Sequence, residues 1–135
     1  MHIESHKRAY EESMRSIRCS IQEGPDKNQR SIGFNCSAAA VDLLEIYLHQ
    51  EGLLGLGATI KHDWFTSIRR AEEKVKLEFP KKKQVLGLIV KLEEKRNLLV
   101  YGKQQSRPFI EEYIELFNNI QETFEELGIS LGRPS

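Results

Sequence analysis

Apolar side chains recur every three or four residues through most of this chain, and that spacing limits its fold more than any other feature. Steps of three, four or seven residues place side chains on one face of a helix. No run of alternating apolar and polar residues, rich in Val, Ile and Thr, is long enough to predict a sheet. The sequence therefore predicts an all-α fold.

Short groups rich in Gly, Pro, Asp and Asn separate five stretches with this helical period. They predict helices over about residues 3–22, 31–50, 62–79, 81–101 and 108–127. Short connections between long helices favour antiparallel neighbours, so we expect an up-and-down bundle of about five helices. The chain of 135 residues is predicted to form a single domain over 1–135.

The sequence also indicates where the protein works. The first ten residues carry charges throughout and contain no apolar stretch typical of a secretion signal. The longest mainly apolar runs, residues 53–60 and 85–90, are far shorter than the roughly 20 residues that cross a bilayer. Two cysteines, Cys19 and Cys36, are expected to stay reduced. We therefore expect a cytoplasmic protein with no membrane segment.

Charge limits the kind of nucleic-acid contact that is possible. The chain has 20 basic and 20 acidic residues, so any such contact must be local. One basic cluster contains Arg69, Arg70, Lys74, Lys76 and Lys81–Lys83, and the fifth predicted helix is acidic. The basic cluster and the acidic helix are either two solvated faces or surfaces of opposite charge that match between subunits. A third alternative is that the basic cluster forms a rim that guides RNA toward Arg96.

The histidines give no metal signal. His2 and His6 are four residues apart, but they lie at a chain end without cysteine or carboxylate ligands at a fixed spacing. We interpret them as a solvated pair and predict no metal site and no cofactor. His62 begins the third predicted helix, where a histidine more often caps or packs than catalyses, and Asp63 is its predicted N-cap.

One charged residue breaks the apolar pattern of the fourth helix. Around the helix axis, Arg96 lies about 20 degrees from Val85 and about 40 degrees from Leu92, both of which belong to the apolar stripe. A charge in a core-facing position costs several kcal/mol unless it is paired. Arg96 therefore either pairs with a glutamate or Asp42, or extends to solvent, or binds an anion.

Three segments of the chain resemble the HEPN family. The segment Arg96-Asn97-Leu98-Leu99-Val100-Tyr101-Gly102 resembles the Arg-Asn-x-x-x-His motif that ends a late helix in that family. Residues 33–48 resemble its second helix, which is rich in small residues, and His62-Asp63-Trp64 resembles the His-Asp-Leu entry to its third helix. The three segments are spread over residues 33–102.

The resemblance implies a helical homodimer in which two copies of the Arg and His motif face each other across a cleft. In active members this cleft cuts RNA without a metal. The resemblance also implies that the protein is a component of a toxin–antitoxin or nucleotidyltransferase-linked module. A nucleotidyltransferase is then a possible partner protein. A histidine can transfer a proton as the 2′-hydroxyl attacks the phosphate, while an arginine stabilises the added negative charge.

The chain departs from this motif because Tyr101 occupies the position of the histidine. A phenol is a poor general base at neutral pH, although it can still donate a hydrogen bond or stack on a base. We therefore expect an RNA- or nucleotide-binding protein with weakened or lost cleavage. Arg96 and Tyr101 are the candidate catalytic residues, and Arg96, Asn97, Lys103 and His62 are the candidate ligand-binding residues.

Two alternatives stay open. One is an active metal-independent endoribonuclease in which Tyr101 replaces the histidine. The other is a structural helical adaptor that contacts other proteins. The surroundings of Arg96 separate the site from the adaptor, because a carboxylate that neutralises Arg96 in a sealed core would remove the site.

Overall fold

The structure, a computed structural model, describes residues 2–54 and 59–129. These residues form five α-helices and no strand, which confirms the predicted all-α class. The helices are α1 (Ile3–Glu23), α2 (Gln29–Gln50), α3 (Ile68–Lys74), α4 (Lys82–Tyr101) and α5 (Arg107–Glu126). Two 3-10 turns, Pro25–Asn28 and His62–Thr66, precede α2 and α3. Within the described ranges, no helix is both long and apolar enough to cross a membrane.

Consecutive long helices run antiparallel, with α2 at the centre against α1, α4 and α5. Contacts at two levels of each consecutive pair establish the direction. These contacts are Ser20–Ser31 and His6–Asp42 between α1 and α2, Gly33–Leu99 and Ser37–Glu93 between α2 and α4, and Gln84–Thr123 and Lys81–Glu126 between α4 and α5. The arrangement is an up-and-down bundle, as expected from the short connections.

Small residues let α2 approach α4 closely. Ala39 and Ala40 are fully buried. A Cβ atom on Gly33 would lie 2.9 Å from Leu99 Cβ and 3.2 Å from Val100 Cγ2, which is closer than normal contact. The carbonyl of Gly33 also accepts a hydrogen bond of 2.9 Å from the Tyr113 hydroxyl on α5. Gly33 is thus the point where three helices meet.

A buried glutamine ties the end of α4 to the start of α2. The Gln29 amide nitrogen donates to the carbonyls of Leu99 and Lys103, at 3.1 Å each. Its amide oxygen accepts from the Gln105 N–H at 2.7 Å. These three bonds satisfy backbone groups where α4 ends, since the last carbonyls of a helix have no partner within it. Gln29 therefore holds the segment that contains Arg96 and Tyr101.

A third helix is present, but its predicted bounds, 62–79, are wrong. Ser67 has an extended backbone and caps α3 by accepting from the Arg70 N–H at 3.1 Å, so the chain breaks before α3. The helix then ends at Lys74. Residues 75–79 alternate apolar and charged side chains, a pattern typical of extended chain, and Pro80 keeps the preceding residue extended. Asp63 is not an N-cap, because its carboxylate pairs with Arg70 at 3.2 Å.

The interpretation of His2 and His6 as a solvated pair is wrong for His6, which is 4% exposed. Its Nδ1 lies 3.1 Å from Asp42, and its Nε2 contacts Glu45. The His6 ring stacks on His49 with 5.8 Å between the ring centroids. Sequence reasoning missed this cluster because its members come from two helices. Asp42 is therefore engaged on the α1 side of α2 and does not neutralise Arg96.

The two cysteines are free, as expected: Cys19 is exposed and Cys36 is buried. The predicted end of the second helix in the glycine-rich segment 52–57 is confirmed at Gly52, which has a positive φ of 71°. Residues 55–58 lie outside the described residues.

Two glycines in helices provide a test of the α2–α4 contact. Gly33→Ala forces a methyl group against Leu99, and we expect it to lower the free energy of unfolding by about 1–3 kcal/mol. Gly87→Ala on α4 adds its methyl group to open space, so it should raise the free energy by about 0.5–1 kcal/mol through helix propensity. Urea unfolding measures both. Equal effects of the two substitutions would contradict the close contact.

His49 makes the stability depend on pH. Burial and the charge of His6 lower the pKa of His49, so the folded protein binds its proton less readily than the unfolded chain. The stability that neutral His49 contributes is fully present above its ordinary pKa of about 6.5. It is lost as the pH falls through the lowered pKa of His49 in the folded protein. Burial raises the pKa of Asp42 and of Glu45, so the stability that their protonated forms contribute is instead lost as the pH rises.

We expect His49→Gln to reduce the loss of unfolding free energy between about pH 7.5 and pH 5.5, because it removes this proton uptake. Urea unfolding at several pH values measures the slope. The exposed His2 supplies the control, since His2→Gln should leave the slope as it is in the natural protein. The same slope in all three proteins would contradict the assignment to His49.

Candidate functional site

A cleft of about 270 Å³ lies between the 3-10 turn His62–Thr66 and the middle of α4. It is close to the lower limit of about 300 Å³ for ligand pockets, so it suits one small unit of a ligand. Its lining residues are His62, Asp63, Phe65, Thr66, Glu93, Glu94, Arg96 and Asn97. Fully buried Phe65 anchors the turn to the core beneath them.

Arg96 is half-buried in this cleft and has no carboxylate partner among the described residues. Its Nε is buried and has no hydrogen-bond partner there. One terminal nitrogen lies 3.5 Å from the Asn97 side-chain oxygen, which is at the limit of a hydrogen bond. A charge that is partly buried without a neutralising partner is costly, so Arg96 is suited to bind an anion through its terminal nitrogens.

Two aromatic rings flank the Arg96 guanidinium. Its central carbon lies 5.6 Å from the centre of the Phe34 ring on α2 and 5.9 Å from that of Tyr101 on α4. Both distances are within the range of cation–π attraction. Phe34 is 55% exposed and Tyr101 is 73% exposed, so a large part of each ring remains open to a ligand. Leu98, also largely exposed, lies on α4 near Tyr101.

His62 is held by two groups on other helices. Its Nδ1 lies 3.0 Å from Glu93 Oε1 on α4 and 3.4 Å from the hydroxyl of Ser37 on α2. The Ser37 hydroxyl also donates to Glu93 Oε1. Both contacts therefore involve the same ring nitrogen. The other nitrogen, Nε2, has no protein partner in the described part of the chain, and the His62 side chain is 48% exposed.

The cleft carries mixed charge. Asp63, Glu93 and Glu94 bring three carboxylates, while Arg96 brings one permanent positive charge. Arg70 offsets Asp63 through an ion pair of 3.2 Å, and His62 contacts Glu93. An anion in this cleft would therefore be bound by Arg96 through direct contact and not through a broad positive field.

The structure brings three of the predicted ligand-binding residues, His62, Arg96 and Asn97, into the one cleft. Tyr101 lies beside Arg96, as its position in the motif suggests. Lys103 does not line the cleft; its side chain is exposed, and its carbonyl accepts the hydrogen bond from Gln29. The prediction that Arg96 faces the core is correct only in part, because the residue is only partly buried.

Sequence reasoning missed Phe34, Ser37 and Glu93. Glu93 precedes Arg96 by three residues and so lies on the same side of α4, a signal that periodicity could have provided. Phe34 and Ser37 gave no such signal, because their relation to Arg96 and His62 depends on how α2 packs against α4. Both residues are far from His62 and Arg96 in the sequence.

Much of the predicted basic cluster is paired within the chain. Arg70 pairs with Asp63, Lys82 pairs with Glu78 at 3.1 Å, and exposed Arg69 pairs with Glu73 at 3.3 Å. Lys81 contacts Glu126 on the acidic helix α5. These contacts favour the interpretation of the two charged regions as solvated surfaces, since exposed pairs of this kind contribute little to binding or stability.

No protein-family model, curated protein or solved structure matches this chain. The HEPN resemblance stays a prediction. Within residues 2–54 and 59–129, no group of three or more His, Cys, Asp and Glu side chains is arranged to hold a metal ion. The chemistry of the cleft is therefore inferred from its own side chains.

Proposed function

We propose that this protein binds RNA or a nucleotide, with Arg96 as the residue that contacts phosphate. The observation that carries the proposal is the Arg96 guanidinium, which lines the cleft without a carboxylate partner within the described residues. A guanidinium binds phosphate oxygens through parallel hydrogen bonds. A bound phosphate would accept hydrogen bonds from the terminal nitrogens of Arg96 in the cleft, and Asn97, the next residue on α4, would contact the same group.

The aromatic residues support a ligand with unpaired bases. Exposed rings of Phe34 and Tyr101 flank the guanidinium, and bases of single-stranded nucleic acid stack on such rings. Stacking contributes about 1–3 kcal/mol per base. The small volume of the cleft suits one nucleotide unit, while the balanced charge of the chain favours local contact over binding along an extended backbone.

The proposal includes a homodimer, which the HEPN resemblance implies. Its support is an exposed apolar surface beside the cleft, formed by Phe34, Leu98 and Tyr101, which we call the α2–α4 surface. Large exposed apolar side chains that lie together are typical of interaction sites. A second copy packed there would place two Arg96 residues near each other and close the cleft on another side.

A metal-independent endoribonuclease is the second candidate, and the position of His62 favours it. Tyr101 lies beside Arg96, but a phenol is a poor general base at neutral pH. His62 lines the same cleft and belongs to a residue type suited to proton transfer there. The adaptor role, the toxin–antitoxin or nucleotidyltransferase-linked module and the cytoplasmic location stay predictions.

Replacing Arg96 tests the phosphate contact. We expect Arg96→Met to weaken binding of a labelled single-stranded RNA, or of a mononucleotide, by about tenfold to a hundredfold, because a charge-assisted contact is lost. The free energy of unfolding should change by less than about 1 kcal/mol, whereas removing one member of a buried ion pair would cost about 3–5 kcal/mol. Fluorescence anisotropy and urea unfolding measure the two quantities.

The matched control is Arg18→Met, which removes the same charge from an exposed position on α1. It should leave the affinity close to that of the natural protein. Equal weakening by both substitutions would mean that net charge, and not the cleft, governs binding. A large loss of stability in Arg96→Met with unchanged affinity would favour the structural adaptor.

A charge placed on the α2–α4 surface tests the dimer. We expect Leu98→Asp to convert a dimer to a monomer, because a carboxylate in an apolar interface is costly. Light scattering after size exclusion measures the mass. Ile68→Asp, at another exposed apolar position on α3, should leave the dimer intact. A natural protein that is monomeric at high concentration would contradict the proposed assembly.

A further inference from the structure

We propose that His62 is the general base of an RNA-cleaving site and that Glu93 is its positioning residue. This inference rests on the proposed function, because it requires the RNA backbone to lie at Arg96. It assigns proton transfer to a residue outside the Arg96–Tyr101 segment, on a different element of the fold. The site would then retain cleavage even though Tyr101 stands where the motif has histidine.

The hydrogen bonds of His62 define its tautomer. A carboxylate can only accept, so the contact of 3.0 Å between Glu93 and His62 Nδ1 requires a proton on Nδ1. The neutral ring then carries its lone pair on Nε2, which has no protein partner in the described part of the chain. Nε2 is therefore available to take a proton from a ligand in the cleft.

Glu93 is itself held in place from the core. Its side chain is only 12% exposed, and its Oε1 accepts a hydrogen bond from Ser37, which is fully buried on α2. A base oriented by a second group that is in turn fixed by a third is the arrangement common to many proton-transfer sites. The hydrogen bonds from Ser37 on α2 to Glu93 on α4, and from His62 to Glu93, thus orient the His62 ring at the start of its turn.

A serine nucleophile does not fit this geometry. Ser37 and Glu93 both face Nδ1, whereas a serine, histidine and acid triad needs the serine and the acid on opposite ring nitrogens. Ser37 is also completely buried, so a substrate could not reach its hydroxyl. Its role is to hold Glu93, and the open nitrogen of His62 points to proton transfer as the chemistry of the cleft.

The other three histidines are placed elsewhere. The chain has four, and all lie within the described residues. His6 and His49 stack on each other on the α1 side of α2, and His2 is exposed at the start of α1. Among them only His62 lines the cleft with Arg96.

The proposed step is a transesterification within the RNA. His62 Nε2 takes the proton of a ribose 2′-hydroxyl while the 2′-oxygen forms a bond to the adjacent phosphorus, and the bond from phosphorus to the 5′-oxygen breaks. The 5′-oxygen takes a proton from water, and the His62 imidazolium returns its proton to the hydroxide that remains. The products are a 2′,3′-cyclic phosphate and a 5′-hydroxyl. Arg96 stabilises the added negative charge on the phosphate oxygens.

The test uses the full chain with a labelled single-stranded RNA and a DNA of the same sequence, at neutral pH with a chelator. We expect cleavage of the RNA to products with 2′,3′-cyclic phosphate ends, and no cleavage of the DNA. His62→Ala should lower the single-turnover rate about a hundredfold or more with unchanged RNA affinity, since general base catalysis contributes about 10²–10⁴-fold. Added imidazole should restore part of the rate, and His2→Ala should leave it unchanged.

Glu93→Gln tests the positioning role. We expect it to lower kcat by about tenfold or more while KM stays unchanged, because the neutral amide no longer stabilises the imidazolium and can donate to Nδ1, which favours the wrong tautomer, while the phosphate contact at Arg96 is intact. A purely structural role for Glu93 would lower the stability of the fold and raise KM as well. Thermal unfolding of the same samples separates these outcomes, and a change confined to stability and KM would overturn the assignment.

Failure of this inference can be distinguished from failure of the proposed function. If the natural protein binds RNA through Arg96 but does not cut it, or if His62→Ala cuts at the natural rate, the base assignment is overturned while the binding proposal stands. Products with 3′-hydroxyl and 5′-phosphate ends would overturn it too. If Arg96→Met binds RNA as tightly as the natural protein, the binding proposal itself fails.

Discussion

The contact between α2 and α4, where Gly33 lies against Leu99, determines the relative positions of the side chains around the cleft. Because a glycine leaves room for the neighbouring helix, the two backbones approach closely enough for side chains of α2 to contact the α4 residues that line the cleft. Gln29 holds the same junction by bonding the backbone at the end of α4. Ser37 can then reach Glu93, and Phe34 can reach Arg96. A wider spacing between these helices would separate all of these pairs.

Arg96 is unusual in this bundle because its charged side chain makes no ion pair, among the described residues, that would stabilise the fold. Its Nε is buried without an acceptor within the described residues, and its guanidinium contacts exposed aromatic rings, not a carboxylate. Local conflicts of this kind tend to occur at functional sites, where stability is given up for binding or chemistry. His62 shows the opposite arrangement, since its bonds to Glu93 and Ser37 are made within the chain and only one ring nitrogen stays open.

The four long helices could be predicted because apolar residues recur at helical spacing in each of them and the end signals are clear, such as Pro108 in the first turn of α5 and Gly128 after its end. The third helix could not, because two local signals compete with its apparent period. Ser67 offers a cap in the middle of the stretch, and the alternating residues 75–79 favour an extended chain. In this segment local turn and cap chemistry decided the conformation, and the period had little influence.

The sequence by itself determined the all-α class, the position of Arg96 near an apolar stripe, and the grouping of Arg96, Asn97 and Tyr101 at the end of one helix, because these depend on spacing along a single element. Only the tertiary structure decided that His62 joins Arg96 in one cleft, that His6 is buried against Asp42 and Glu45, and that Lys103 lies away from the site. Those relations join residues that are distant along the chain, and they depend on how closely, and in which register, neighbouring helices pack.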